Sequence, residues 1–206
     1  MKTKPMVLST LAALTLGLGS HAAMAQQNTP DEAPSFSYVA ATYVEMDEAD
    51  TTFDGFEVEA SGRIGQMMFL SGSYSEVSGN ITGLDSTDLD IANARLGFIF
   101  GRDERVAAYV GPQVSYIKTS YGLGSDGDWE LGSESSTDWG AFAGVRAMIM
   151  PRVELKGEVS YIDFDRESLT SYTAGTRIYL TQNLAATGEF RMGDLDGFAI
   201  GLNYSF

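Results

Sequence analysis

The stretch Val153-Glu154-Leu155-Lys156-Gly157-Glu158-Val159-Ser160-Tyr161 alternates strictly between two kinds of side chain. One set reads Val, Leu, Gly, Val, Tyr; the other reads Glu, Lys, Glu, Ser. Successive Cβ atoms of an extended chain point to opposite faces, so a period of two is the mark of a strand. A helix would scatter those charges around its circumference. The same sorting recurs along the chain. Phe56, Val58, Ala60, Gly62 and Ile64 oppose Glu57, Glu59, Ser61 and Arg63. Trp139, Ala141, Ala143, Val145, Ala147 and Ile149 oppose Gly140, Phe142, Gly144, Arg146 and Met148. In 172–180 Arg177 and Tyr179 share the polar face, and in 184–192 Glu189 and Arg191 do. The pattern predicts an all-β chain of eight to ten strands. Ten fit best, near 36–46, 55–64, 67–77, 88–101, 106–119, 137–150, 153–164, 170–181, 184–192 and 197–206.

Which face is buried decides the class. A soluble sandwich hides the apolar face, whereas a barrel in a bilayer turns it to lipid and lines its lumen with the polar one. Three features favour the barrel. Short breakers, such as Gly65-Gln66 and Pro151-Arg152, alternate with longer polar connections at 47–54, 78–87, 120–136, 165–169 and 193–196. Aromatics on the apolar face are sorted by height: Tyr74, Tyr116, Trp139, Tyr161 and Tyr172 at one set of strand ends, Phe98, Phe100, Tyr204 and Phe206 at the other. Two such rings describe interfacial girdles. Finally, Trp139 to Ile149 spans roughly 23 Å at about 3.3 Å per residue and a tilt near 45°, close to the apolar band of such barrels. The expected fold is a transmembrane antiparallel up-and-down β-barrel.

The two ends of the sequence agree with that location. Lys2 and Lys4, the apolar run Met6 to Leu18 and Ala23-Met24-Ala25 read as a signal peptide over 1–25. A polar lead-in at 26–35, expected to be disordered, comes before a barrel domain at 36–206. The final strand alternates up to Phe206, as expected when the last strand of a closed barrel must pair with the first.

The terminal Ala199-x-Gly201-x-x-Tyr204-x-Phe206 and the stretch Gly55 to Val77 resemble the small bacterial outer-membrane β-barrels of the OmpA/OmpX-like and opacity-like porin group. The resemblance covers essentially all of 36–206. It implies a Gram-negative cell outer membrane, contact with outer-membrane lipids and lipopolysaccharide, and a monomer. It also implies that Gly201, Tyr204 and Phe206 form a signal read by the barrel-assembly machinery. Members commonly have eight strands, so a count of ten is a departure.

Chemistry is constrained by what is missing. There is no cysteine, and the one histidine, His21, falls in the signal peptide. Enzymes among the barrels that this chain resembles use an active-site histidine, and histidine is the usual base near neutral pH. We therefore expect no catalytic residues, no cofactor and no metal centre. Without the signal peptide, 11 basic residues face 28 acidic ones, a net charge of −17, which disfavours nucleic acid as a partner.

Alternation nevertheless puts six basic residues in the lumen (Arg63, Arg95, Arg146, Lys156, Arg177 and Arg191) with five acids (Glu57, Glu59, Glu154, Glu158 and Glu189). This near-balance reads as a structural charge network holding the barrel's shape, the alternative being a narrow pore that conducts ions or solutes. The acidic excess lies in the long connections, as a solvated face or as divalent-cation ligands at the lipopolysaccharide level; Asp126-Gly127-Asp128 is only a fragment of a calcium loop. The connection 120–136, with Trp129, Leu123 and Leu131, is the candidate contact for a surface ligand. The expected role is non-enzymatic, in envelope integrity or surface interaction and adhesion.

Overall fold

The computed structural model describes residues 33–48, 51–79, 86–101, 103, 105–123, 129–163, 168–194 and 196–206. The expected signal peptide and the Asp126-Gly127-Asp128 fragment lie outside them. Ten strands follow one another: β1 (Tyr38–Glu48), β2 (Thr51–Ile64), β3 (Met68–Gly79), β4 (Ser86–Phe100), β5 (Val106–Leu123), β6 (Trp129–Met150), β7 (Val153–Asp163), β8 (Ser168–Tyr179), β9 (Leu184–Gly193) and β10 (Asp196–Ser205). Each pairs antiparallel with its sequence neighbours, and β1 closes on β10 from Tyr38↔Ser205 to Asp47↔Asp196. The closure continues past the ladder, where Phe206 N donates to Ser37 O at 3.1 Å. The departure to ten strands therefore stands.

The period-two pattern has the orientation read from the sequence. Phe56, Val58, Val145, Leu155, Ile178, Phe190, Ile200 and Leu202 are exposed on the outer wall. So are Tyr116, Trp139, Tyr161 and Tyr172 toward one rim, and Phe98, Phe100, Tyr204 and Phe206 toward the other. Tyr74 faces outward as well, with its hydroxyl donating to Asp90 Oδ1 at 2.9 Å. An apolar surface this continuous does not face water.

Connection lengths correct the sequence reading. At the near rim, where β1 begins and β10 ends, the turns occupy 65–67, 101–105, 151–152 and 180–183; at the far rim the breaks fall at 49–50, 80–85, 124–128, 164–167 and 194–195. Short and long connections do not alternate. Two of the polar runs taken for loops, 47–54 and 120–136, are largely strand. Of the largest, 120–136, residues 120–123 and 129–136 form a β5–β6 ribbon paired from Ser120↔Ser133 to Leu123↔Trp129, with a bulge at Tyr121/Gly122. Above a bilayer both faces of a ribbon are wet, so its sequence carries no apolar face by which to recognise it.

The near-rim turns use the backbone conformations their sequence permits. Gly65 and Gly101 take φ of 66° and 59°. Arg152 takes φ 70° behind Pro151, a position that favours glycine.

Candidate functional site: the filled lumen

Inward positions build the interior in layers. Near the far rim, Val44, Met46, Phe53, Val77 and Ala199 form a buried apolar cluster, with Leu89 and Ile91 packed against it. Near the other rim, Phe36, Phe69, Ile99, Ala107, Tyr109 and Phe142 form a second, and Met148, Tyr179 and Ala185 a third. Ring pairs such as Phe36–Phe69, with centroids 4.9 Å apart, knit the near-rim layer together.

Phe36 comes from the segment before β1. Pro34, Ser35 and Phe36 are all buried. Ala33, Pro34 and Ser35, assigned to the lead-in from the sequence, are thus described as ordered chain at the lumen mouth. The reason is chemical. Ser35 O accepts from Arg146 Nη1 at 2.9 Å, and the Arg146 guanidinium lies over the Phe36 ring at 4.9 Å.

Charges lie between these clusters and, at Arg146, Glu154 and Arg177, beside the near-rim ones. Arg95 pairs with Glu158 at 2.9 Å, Lys156 with Glu189 at 2.8 Å, and Arg191 with Glu57 at 2.7 Å. Arg191 also lies 3.9 Å from the second Glu189 oxygen. Glu154, 1% exposed, faces Arg177 at 3.5 Å and Arg146 at 4.0 Å. Glu59 accepts from the Tyr38 hydroxyl at 2.8 Å. Ten of the eleven residues assigned to the network from the sequence thus meet inside. The eleventh, Arg63, lies near the near-rim turn, where its Nη2 donates to Gln66 O at 3.2 Å. The ten comprise five acids and five bases. Charges removed from water are tolerated when paired; Glu154 Oε1 meets Arg177 and Arg146 at ion-pair distance without a hydrogen bond.

Tyrosine hydroxyls complete the network. Tyr109 donates to Glu158 Oε2 at 2.8 Å and Tyr179 to Glu154 Oε2 at 3.2 Å. Tyr38 receives Arg146 Nη2 at 3.0 Å, with Arg177 stacked 4.1 Å from its ring. Sequence reasoning left these three out, although parity had placed Tyr179 on the polar face. A tyrosine among lumenal charges is the signal that could have found them. Phe36, before the first strand, had no such signal.

The interior is closely packed at this level. A cavity lined by Thr42, Glu57, Glu59, Arg177, Glu189 and Asn203, among others, has a volume of ≈ 10 Å³, about what a single water needs.

Of the three assembly-signal residues, Tyr204 and Phe206 point outward and are exposed. Gly201 faces inward opposite Thr42, where a Cβ would collide with the carbonyl oxygen of Ala41. Close backbone approach demands glycine there.

A closed antiparallel barrel with a lipid-facing apolar wall and a polar interior is an integral outer-membrane β-barrel protein. The chain matches the family described as "Outer membrane protein beta-barrel domain" over residues 10–206 and belongs to that family, whose members reside in the bacterial outer membrane. No curated protein sequence matches it. Among solved structures, the translocator domain of the autotransporter NalP from Neisseria meningitidis is similar at 8% identity and a TM-score of 0.52, with 96% of this chain and 98% of that one covered. Ail, the attachment invasion locus protein of Yersinia pestis, solved in complex with the heparin analogue sucrose octasulfate, is similar at 14% identity and a TM-score of 0.45, covering 82% of this chain and 95% of that one. Neisserial surface protein A gives 17% identity and 0.44, with the same coverage.

Proposed function

We propose that the protein is a non-conducting, non-enzymatic barrel that turns its acidic far rim to the cell exterior and acts there in surface interaction or envelope integrity. The observation that carries this is the filled lumen, with apolar clusters toward both rims and a charge-balanced network packed between and beside them. A barrel interior packed with side chains is a rigid pedestal rather than a passage. In this reading residues 1–25 direct export and are removed. The final strand, through Gly201, Tyr204 and Phe206, engages the assembly machinery. The monomer contacts lipopolysaccharide along its outer wall. The absence of histidine from 26–206 and of cysteine from the whole chain supports a role without catalysis.

Planar-bilayer recording tests the reading. The refolded wild-type protein is expected to give no discrete conductance steps, and incubation with phospholipid or lipid A to give no turnover. Regular steps from the wild-type protein would assign it instead to the small porins.

A further inference from the structure

The far rim is uneven. β6 has 22 residues and β5 has 18, whereas β7 has 11. The β6–β7 ladder ends at Trp139↔Asp163, while β6 continues upward paired to β5 as far as Trp129. Among the described residues, no strand pairs with the other side of β6 above Trp139.

Backbone direction along this edge follows from one bond. Met148 N donates to Arg105 O at 2.7 Å, across toward β5. The β5–β6 register then runs unshifted from Val106↔Ala147 to Tyr121↔Gly132. Even-numbered residues of β6 therefore bond toward β5, and odd-numbered ones aim their N–H and C=O the other way. Ser133, Ser135 and Thr137 present an unpaired row of backbone donors and acceptors, and all three are exposed.

Natural sheets blunt such edges with proline, inward lysine, a bulge or a cover. Residues 132–138 (GSESSTD) contain neither proline nor lysine. Their side chains are small and polar apart from two acids, Glu134 and Asp138, on the axis-facing side. Asp138 Oδ2 is buried and has no hydrogen-bond partner. Asp163 stands beside the foot of the edge, opposite Trp139. No apolar side chain along 132–138 rewards a greasy partner. A second copy of this acidic chain would bring Glu134 and Asp138 against their own kind, which is unfavourable across a strand pair.

We infer that the free edge of β6 over residues 132–138 is a docking site for an extended basic peptide segment, which adds as a strand and sets lysine or arginine against Glu134 and Asp138. Backbone bonds to Ser133, Ser135 and Thr137 supply affinity, and the acids supply selection. The inference rests on the reading of this rim as cell-facing.

The test is fluorescence anisotropy on the full chain refolded in nanodiscs. The probes are a labelled octapeptide of alternating Lys and Thr, its Glu–Thr counterpart, and the Lys–Thr peptide N-methylated at alternate residues. The Lys–Thr peptide is expected to bind and the Glu–Thr peptide not. Ser135→Pro removes an edge donor while leaving the β5 ladder intact, and should weaken binding about tenfold. N-methylation should do the same without any change to the protein, so the proposal stays testable if the proline variant does not fold. Glu134→Lys should weaken binding severalfold. Equal binding of the methylated and plain peptides would reduce the site to bulk charge and overturn the proposal. So would no binding, or dimerisation of the wild type that Ser135→Pro abolishes. Conductance does not enter this experiment, so its failure is separable from failure of the closed-lumen reading.

Discussion

Arg146 shows how one residue ties the first segment of the barrel to its middle. Its side chain, on β6, reaches Ser35 O and the Tyr38 hydroxyl and faces Glu154, while the residue itself is 4% exposed. Removing one member of a buried charge group leaves its partner uncompensated, at about 3–5 kcal/mol. Arg146→Leu is expected to lower stability by about that amount in urea unfolding from lipid vesicles. Glu154 keeps Arg177 at 3.5 Å in that variant, whereas Glu154→Leu takes the shared carboxylate from both guanidiniums; the pair Arg146→Leu with Glu154→Leu should therefore lose less than the two single variants together, because one of those two cations goes too. Strict additivity would mean that the two groups do not interact. Gly201 carries a second prediction at this scale. Gly201→Ala meets the Ala41 carbonyl and should depress refolding into vesicles with no assembly proteins present. Phe206→Ala, whose ring points outward, should refold like the wild type under the same conditions. Equal yields would leave Gly201 to the machinery's recognition alone.

At the scale of the element, β6 crosses two environments with one alternation. Val145 is 43% exposed on the outer wall about midway along Trp139–Ile149, and Ser133 occupies the same outward parity above the last β7 pair. An arginine facing lipid at the midplane costs about 2–4 kcal/mol, falling toward zero at the interface. Val145→Arg is expected to show that loss in vesicle unfolding, and Ser133→Arg close to none. Similar losses at both positions would mean that the bilayer boundary does not fall between them. The same strand shows what was legible in the sequence. From Trp139 to Ile149 the two faces differ in chemistry, so parity, orientation and the inward place of Arg146 could all be read. From Gly132 to Ser136 the residues of both faces are exposed, so the strand looked like a loop. The lumen charges were legible for the first reason, their partners only in part. Parity puts Arg191 and Glu57 inside, but their 2.7 Å contact depends on barrel closure, which brings residues 134 positions apart together. Arg63 has inward parity too, yet its nearness to the turn leaves it bonded to Gln66 O. Nothing in the polar run before β1 told that its last residues enter the mouth.

For the whole molecule, the layers act in series along the barrel axis. Emptying one layer leaves the others in place, so conductance should appear only when layers at different heights are opened together. Phe53→Ala thins the far-rim apolar cluster, and Arg191→Ala with Glu57→Ala deletes one ion pair without leaving a stranded charge. Either change alone is expected to give silent bilayers. The triple variant removes material at both heights and should give small, brief steps, provided that it still folds. A pore gated by its ion pairs predicts a different order of events. There Arg191→Ala with Glu57→Ala would conduct by itself, and thinning the apolar cluster would add little. Recording the three variants side by side therefore asks whether the charges are packing or a gate. Steps from the ion-pair variant alone would decide for the gate, and with it against a barrel whose interior exists to hold its rim in place.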